Sequence, residues 1–224
     1  MKKRNVMTMA LSLAMVGVIA VGGTLAYLTA TDGSVTNTFT FVAGDAGEDV
    51  INVKLTEDKP FAEGTQGVAV VTANDEGGYD YTNVVPNQTL PKAPEVSVKT
   101  KVDSYVYVRV TEGKGENAVT VDETAWNEDW ALIDTVEAVD GTTTSKVYAY
   151  HEVVGHNNDY QELGSIFTAV KIPNIATVKD GEAVQLQDVK IEVAAIQSAT
   201  FTSAENAYED GKVAGIFKTV ADTQ

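Results

Sequence analysis

The chain of 224 residues contains no cysteine. Disulfide bonds, thiolate metal sites, a cysteine nucleophile and a lipid anchor on cysteine are therefore excluded. Histidine is nearly absent as well, because the sequence has only His151 and His156, so a zinc site would lack a third imidazole ligand. Core packing and strand pairing must supply the stability of the fold.

Basic residues are also scarce. The sequence has 16 Lys and Arg against 32 Asp and Glu, which gives a formal net charge of −16. No cluster of basic residues and no basic helix reverses this excess locally, and a chain this acidic repels phosphate groups. We therefore expect no nucleic-acid partner, and the charge favours solubility.

Long apolar runs are missing after Val21, so no later segment is predicted to cross a membrane. The N-terminus has a basic head, Met1–Arg4, followed by an uncharged run, Val6–Val21, that is too short for a comfortable span. The small residue Ala26 supplies a cleavage position before Tyr27. This pattern predicts an export signal over residues 1–26, and no membrane contact after cleavage.

Removing residues 1–26 of 224 leaves 198 residues, enough for one substantial core. The loss of three basic residues changes the net charge from −16 to about −19. We predict an N-terminal arm over residues 27–36 and a single β-domain over residues 37–224. An exported chain without cysteine fits a bacterium with a single membrane. We expect the protein at the surface of such a cell or in its extracellular matrix.

The mature sequence consists of short runs rich in Val, Thr, Ile, Tyr and Phe, separated by turn residues, which is typical of antiparallel sheets. In Lys99–Val110 the residues expected in the core are Val102, Ser104, Val106, Val108 and Val110, and those expected in solvent are Lys101, Asp103, Tyr105, Tyr107 and Arg109. Other predicted strands are 38–42, 50–55, 67–72, 80–85, 95–99, 130–135, 145–154, 166–172 and 184–197. About ten strands suit two packed sheets.

Two connecting segments have a clear interpretation. The stretch Val85–Pro94 holds three of the five prolines and is predicted to be a rigid connection outside the strands. Near the C-terminus, Ser203 is a good helix N-cap. Glu205 lies in the first turn, where its negative charge interacts favourably with the helix dipole. The sequence therefore predicts a short C-terminal helix, with a further helical turn over Val213–Thr219.

The sequence around the cleavage position, Gly22–Thr29 before an acidic residue, resembles the exit sequence of the TasA/camelysin family of surface and biofilm-matrix proteins. Those proteins are processed by a SipW-type signal peptidase. Seven internal blocks occur in the same order as in that family: residues 36–41, 50–57, 87–94, 103–110, 148–154, 166–173 and 195–207. The resemblance covers nearly the whole chain.

The resemblance implies a jelly-roll-like β-sandwich and assembly into extracellular fibres by donor-strand complementation. The implied partners are other copies of the chain, the SipW-type signal peptidase and other matrix proteins. The candidate donor strand is Tyr27–Thr36, whose apolar residues are Tyr27, Leu28, Ala30 and Val35. Leu28 and Ala30 share one face and Tyr27 and Val35 the other, so the register is open. The alternative is a frayed terminus or an edge strand of the same subunit.

Two other functions are weighed against the fibre subunit. A camelysin-type metallopeptidase would use His151 and His156, but five residues of separation place them about 140° apart around a helix, whereas zincins need a separation of four. A monomeric adhesin would bind carbohydrate or a host protein; aromatic rings could form a platform for sugars, but strand packing also explains those rings. Acidic turns such as 45–49 do not fit the EF-hand spacing, and for acid pairs such as Glu123 with Glu128 the sequence spacing does not fix the separation in space that a glycosidase needs. We predict no catalytic residue, metal or cofactor.

Overall fold

Alternating apolar and polar residues form antiparallel strands in the computed structural model, which describes residues 29–33, 50–62, 65–74, 78–175, 184–211 and 213–218. The strands are β1 (Thr29–Gly33), β2 (Ile51–Glu57), β3 (Val70–Ala73), β4 (Tyr79–Thr82), β5 (Thr89–Pro91), β6 (Pro94–Thr100), β7 (Ser104–Gly113), β8 (Thr120–Val121), β9 (Trp130–Glu137), β10 (Thr143–Tyr150), β11 (Gln161–Ser165), β12 (Ala169–Lys171) and β13 (Lys190–Gln197). A 3₁₀ turn spans Glu123–Ala125, and two helices follow β13, α1 (Ala204–Asp210) and α2 (Val213–Lys218).

The largest sheet has five strands in the order β1-β13-β7-β10-β9. Two three-stranded sheets have the orders β11-β6-β2 and β5-β12-β8, and β3 pairs with β4 in a hairpin. Every strand pair is antiparallel. The predicted all-β antiparallel sandwich with a short C-terminal helix is confirmed.

The inner core lies between the five-stranded sheet and the β11-β6-β2 sheet. Val106, Val108 and Val193 from the first sheet, and Val96 and Val98 from the second, are at most 1% exposed. Burial of a side chain of this size stabilises the fold by roughly 1.5–3 kcal/mol. The predicted core face of the Lys99–Val110 segment is confirmed from Ser104 onward.

The outer face of the five-stranded sheet is buried as well, and here the sequence-based prediction is wrong. Tyr107 and Arg109, expected in solvent, are only 0% and 8% exposed. Helices α1 and α2 cover them through four buried residues, Ala207, Tyr208, Val213 and Phe217. The Tyr107 hydroxyl donates to the backbone oxygen of Ala204 at 2.7 Å. The strand is therefore buried on both faces. Alternation of apolar and polar residues predicts one buried face only, so it could not reveal the second.

The start of α1 follows its predicted capping. The backbone N–H of Asn206 donates to Ser203 Oγ at 3.2 Å, and Ser203 has an extended backbone, as an N-cap requires. Hydrogen bonding to backbone N–H and to Ser203 lowers the pKa of Glu205 in the first turn. The predicted helix is confirmed, and α2 covers the further predicted turn as far as Lys218, the last described residue.

Strand predictions fail where a strand is short or depends on a distant partner. The connection Val85–Pro94 contains β5, which pairs with β12, and Pro94 opens β6. Strands β8 and β11 had no sequence signal, and in the predicted strand 166–172 only Ala169–Lys171 pairs as β12. The predicted strand 184–197 begins only at Lys190. The predicted strand 38–42 lies outside the described residues.

Candidate functional site

Strand β1 lies within the N-terminal arm predicted from the sequence. It pairs antiparallel with β13, and the five pairs run from Thr29 with Ile196 to Gly33 with Glu192. Ala30 of the candidate donor set lies opposite Ala195, so this register is now defined. The other three donor residues and the cleavage position lie outside the described residues: Tyr27, Leu28, Val35 and Ala26.

Strand β13 is the strand against which β1 pairs. Its other neighbour is β7, along eight residue pairs from Lys190 with Thr111 to Gln197 with Ser104. All residues from Ile191 to Ile196 are buried, so β13 is buried on both faces, and Glu192 is the one charged residue among these six. Without β1, this strand would present a row of unpaired backbone N–H and C=O groups at the edge of the sheet.

Strand β1 also lies close to the β11-β6-β2 sheet. Both β1 and β13 lie against β2, the edge strand of the β11-β6-β2 sheet. The β1 strand therefore covers the seam where the two sheets of the sandwich meet. Its removal would open the backbone edge of β13 and the flank of the inner core together.

Two other sheet edges in the described part of the chain carry β-bulges. In β9 the pairing steps from Asp134 to Leu132 against consecutive residues of β10, so Ile133 is an extra residue. In β11 the register skips Leu163, and Gly164 follows with a φ of 80°. Bulges twist an edge and hinder further strand pairing. These edges are less suited to strand addition than the β13 edge.

A buried ion pair braces β13 from the side opposite β1. Arg109 Nε donates to Glu192 Oε2 at 2.6 Å, and the two residues are 8% and 5% exposed. Lys190 Nζ lies 3.4 Å from the other carboxylate oxygen. The guanidinium also donates to the backbone oxygen of Phe217 and lies over its ring, 5.0 Å from the centroid. Arg109 of β7 thus contacts both α2 and Glu192 of β13, and Glu192 is the residue that pairs with Gly33.

A cleft with a volume of about 790 Å³ opens beside the first residues of β13. Its half-buried apolar rim includes Leu55, Tyr79, Val84, Val119, Leu186 and Val189. This volume lies in the range of roughly 300–1,000 Å³ typical of binding pockets. We refer to this feature as the β13 cleft.

One wall of the β13 cleft carries charge. Lys92 Nζ lies 2.6 Å from Glu57 Oε2, with side chains 14% and 7% exposed. Tyr81 donates from its hydroxyl to the Pro91 backbone oxygen at 3.1 Å and lies 3.3 Å from Glu57 Oε1. Burial, followed by the charge of Glu57, raises the pKa of Tyr81 above its ordinary value. The lysine and glutamate neutralise each other, so this wall offers little net charge.

The histidines lie apart from these features. The predicted strand 145–154 ends at Tyr150 in the structure, so His151 follows β10 at a bend, and residues 151–156 form no helix. His151 Nδ1 lies 3.2 Å from the Asp129 backbone oxygen, and both histidines are exposed. In the described ranges no group of three or more metal-ligating side chains converges.

The aromatic residues weighed as a sugar platform pack against one another. Trp126 stacks on Tyr148 with ring centroids 4.0 Å apart and lies 5.8 Å from Phe167. Trp130 is 2% exposed and lies 5.2 Å from the tilted Tyr150 ring. The packing interpretation is confirmed for these rings, whose faces are used within the fold.

The polar and acidic turns have local roles where they are described. Asn157 Oδ1 accepts a hydrogen bond from the backbone N–H of Thr100 at 2.9 Å, which fixes the turn at 157–159. Glu123 and Glu128 are both exposed. The acidic turn at 45–49 lies outside the described residues.

Comparisons of the chain with protein-family models, with curated proteins and with solved structures find no match. In the described residues, none of the helices has the length and apolar character needed to cross a membrane. The assignment of a function therefore depends on the geometry of the β1–β13 edge.

Sequence reasoning missed the Arg109–Glu192 pair and the β13 cleft. A signal for the pair was present, because Glu192 interrupts the otherwise apolar run Ile191–Ile196. A carboxylate within such a run requires a buried cation. The cleft had no comparable signal, since its lining residues come from segments that are far apart in the sequence.

Proposed function

We propose that this protein is an exported structural subunit that assembles by strand exchange into extracellular fibres or matrix. In the assembly, β1 of one chain pairs with β13 of the next chain. The observation that carries the proposal is the β1–β13 edge, where a strand from the N-terminal arm closes the seam of the sandwich. Backbone hydrogen bonds supply affinity in this mode of recognition, and side-chain fit supplies the register.

The chain has the length that an exchange requires. Sixteen residues separate Gly33 from Val50, where the body of the fold begins. A connection of this length spans at most about 55 Å when extended. The same arm can therefore fill the edge of its own chain or the edge of a neighbour. Exchange of an identical element keeps the same contacts, so the change in free energy is small.

A head-to-tail exchange also produces an open assembly. Each chain has one arm to donate and one β13 edge to accept, and these are different surfaces. Contacts between unlike surfaces generate filaments when their rotation does not close a ring. The pairing of unlike surfaces therefore favours a fibre over a closed dimer.

The export signal fits the same proposal. An arm that begins at Tyr27 becomes free only when a SipW-type signal peptidase cleaves after Ala26. Before cleavage the arm is joined to an apolar run that the membrane holds. Cleavage would then couple arrival at the cell surface with the ability to assemble, and other matrix proteins would be the further partners.

The experiment uses a chain from Tyr27 to Gln224, which includes all described residues. The absence of cysteine allows β1 to be locked in its own chain with the pairs A30C with A195C or T31C with A194C. Opposed residues of antiparallel strands have Cα atoms about 4.5–5.5 Å apart, within the range of a disulfide. The matched control, V70C with T82C, locks the β3–β4 hairpin instead.

We expect fibres from the unmodified chain by electron microscopy and none from the oxidised β1 lock, with assembly restored on reduction. The hairpin lock should assemble normally in both states. Fibres from an oxidised β1 lock, shown by mass spectrometry to be fully intramolecular, would exclude strand exchange. A chain that stays monomeric with β1 unlocked would identify β1 as an ordinary edge strand.

A further inference from the structure

The β13 cleft has an aliphatic floor. Four of its lining residues are at most 6% exposed, namely Leu90, Val170, Ile172 and Ile191. Together with the half-buried rim they form a concave apolar surface around a volume of about 790 Å³. Clefts of this kind bind small molecules through apolar contacts, and a few polar groups at the edge select the ligand. The charged residues of the lining therefore decide which ligand the cleft favours.

The lysines that line the cleft are already paired with carboxylates. Lys92 Nζ lies 2.6 Å from Glu57 Oε2, and Lys190 Nζ lies 3.4 Å from Glu192 Oε1. Lys92 also lies over the ring of Tyr81, 5.8 Å from its centroid. An anionic ligand would have to compete with these contacts, so the lysines do not favour an anion.

Two carboxylates of the lining have no cationic partner. Asp80 of β4 and Asp188, which lies two residues before β13, are both exposed. In the described part of the chain, neither forms an ion pair with a lysine, arginine or histidine. Asp80 accepts a hydrogen bond from Asn74 Nδ2 at 3.1 Å, but that amide is neutral. The uncompensated charge of the cleft is therefore negative.

We propose that the β13 cleft binds a small amphipathic cation, an apolar molecule that carries one ammonium or guanidinium group. The apolar body lies against the aliphatic floor, and the cationic group lies at the exposed edge with Asp80 and Asp188. Each methylene group buried in the floor raises the affinity roughly fourfold. The site does not depend on the proposed strand exchange, because no residue that carries it belongs to β1.

Isothermal titration calorimetry with octyltrimethylammonium tests the proposal. Octyl sulfate and octyl glucoside carry the same apolar chain with an anionic and an uncharged head. Tetramethylammonium reports the attraction of a cation to the acidic surface without an apolar body. The protein is the chain from Tyr27 to Gln224 with the A30C–A195C lock oxidised, so that strand exchange does not contribute to the measured heat.

A pair of matched variants locates the binding site. D80N with D188N removes the two unpaired carboxylates of the cleft edge. E95Q with E162Q removes the same amount of charge from two exposed residues that do not line the cleft. All four substitutions are at exposed positions, so we expect both variants to fold, and thermal unfolding checks this.

We expect one octyltrimethylammonium per chain, bound roughly fivefold more tightly than octyl glucoside, because two exposed ion pairs add a modest attraction. Octyl sulfate and tetramethylammonium should bind more weakly still. D80N with D188N should lower the affinity for octyltrimethylammonium roughly fivefold, and E95Q with E162Q should leave it unchanged.

Three results would overturn the proposal. They are the absence of binding by octyltrimethylammonium, binding of octyl glucoside or octyl sulfate at least as tight as that of the cation, and equal losses of affinity in the two variants. The last result would show that the cation responds to the overall charge of the surface. None of these results bears on strand exchange, which the locked and unlocked chains test separately.

Discussion

Arg109 and Glu192 lie opposite each other on β7 and β13, with Arg109 Nε 2.6 Å from Glu192 Oε2. The two residues are 83 positions apart in the sequence, and both are almost fully buried. Glu192 is also the partner of Gly33, the last residue of β1. The ion pair therefore supports the strand whose free edge the N-terminal arm covers.

Removal of one partner of this pair should destabilise the fold strongly. We expect E192Q to lower the free energy of unfolding by about 3–5 kcal/mol, because it leaves the Arg109 charge buried without a counter-charge. Urea denaturation of the closed monomer measures this change. The combined variant R109M with E192L should recover most of the loss, since a matched apolar pair carries no desolvation penalty.

The exposed pair of Lys114 with Glu137 is the control for that experiment. Its side chains are 36% and 59% exposed, so E137Q should change stability by less than about 1 kcal/mol. Equal losses in the free energy of unfolding for E192Q and E137Q would show that the buried pair stabilises the fold no more than the exposed pair does.

Two glycines near the C-terminus should respond to alanine in opposite ways. At Gly211 an added Cβ would lie 2.3 Å from the Ala207 backbone oxygen and 2.5 Å from Ile196 Cδ1 on β13. We expect G211A to destabilise the fold by at least about 1–3 kcal/mol, as overpacking does. At Gly215, inside α2, no atom apart from its chain neighbours and the backbone of the helix itself lies within 4 Å of the added Cβ.

G215A should instead stabilise the fold by about 0.5–1 kcal/mol through helix propensity. Thermal unfolding of both variants, followed by circular dichroism, measures the contrast. A neutral G211A would mean that α1 can move away from β13 without loss of stability.

Stability should fall at alkaline pH because buried tyrosines resist ionisation. Burial, with smaller effects from Tyr105 and Glu205, raises the pKa of Tyr107 above its ordinary 10.0, and burial raises the pKa of Tyr148 to about 12. Below pH 10 these tyrosines are neutral in both the folded and the unfolded protein, so their ionisation does not lower the free energy of unfolding. Above pH 10 the unfolded chain ionises first, and stability declines as the pH rises through the folded-state values.

Y107F should weaken that alkaline decline by up to about 1.4 kcal/mol per pH unit, the effect of one proton. At neutral pH the variant should lose about 1 kcal/mol, because the hydrogen bond to the Ala204 backbone oxygen disappears. Urea unfolding at pH 7 and above pH 10 measures both. An unchanged alkaline decline in Y107F would show that Tyr107 does not contribute to it.

Assembly by strand exchange should accelerate with salt. After loss of residues 1–26 the chain carries a net charge of about −19, so neighbouring copies repel each other. Raising the ionic strength from 0.01 M to 0.1 M shortens the Debye length from about 30 Å to about 10 Å and weakens this repulsion. Light scattering measures the rate, with sucrose of equal osmolality as the control. Slower assembly in salt would contradict this expectation. It would show that attraction between opposite charges drives the contact, and that β-strand pairing does not have to overcome a net repulsion.

The sequence by itself determined those features whose causes lie within a few residues. The alternation in Lys99–Val110 predicted the inner face of β7, and Ser203 with Glu205 predicted the start of α1. The composition identified an acidic, cysteine-free β-protein. Strand periodicity and helix capping are local effects, so they can be read directly from the chain.

The tertiary structure alone decided which strands meet and which faces are covered. It buried Tyr107 beneath α1, joined Arg109 to Glu192, and placed Thr29–Gly33 against β13 in one defined register. These outcomes depend on partners far away in sequence, and the apolar residues of the arm had left its register open. A one-residue shift turns every side chain to the other face, so only the packed neighbours can select the register.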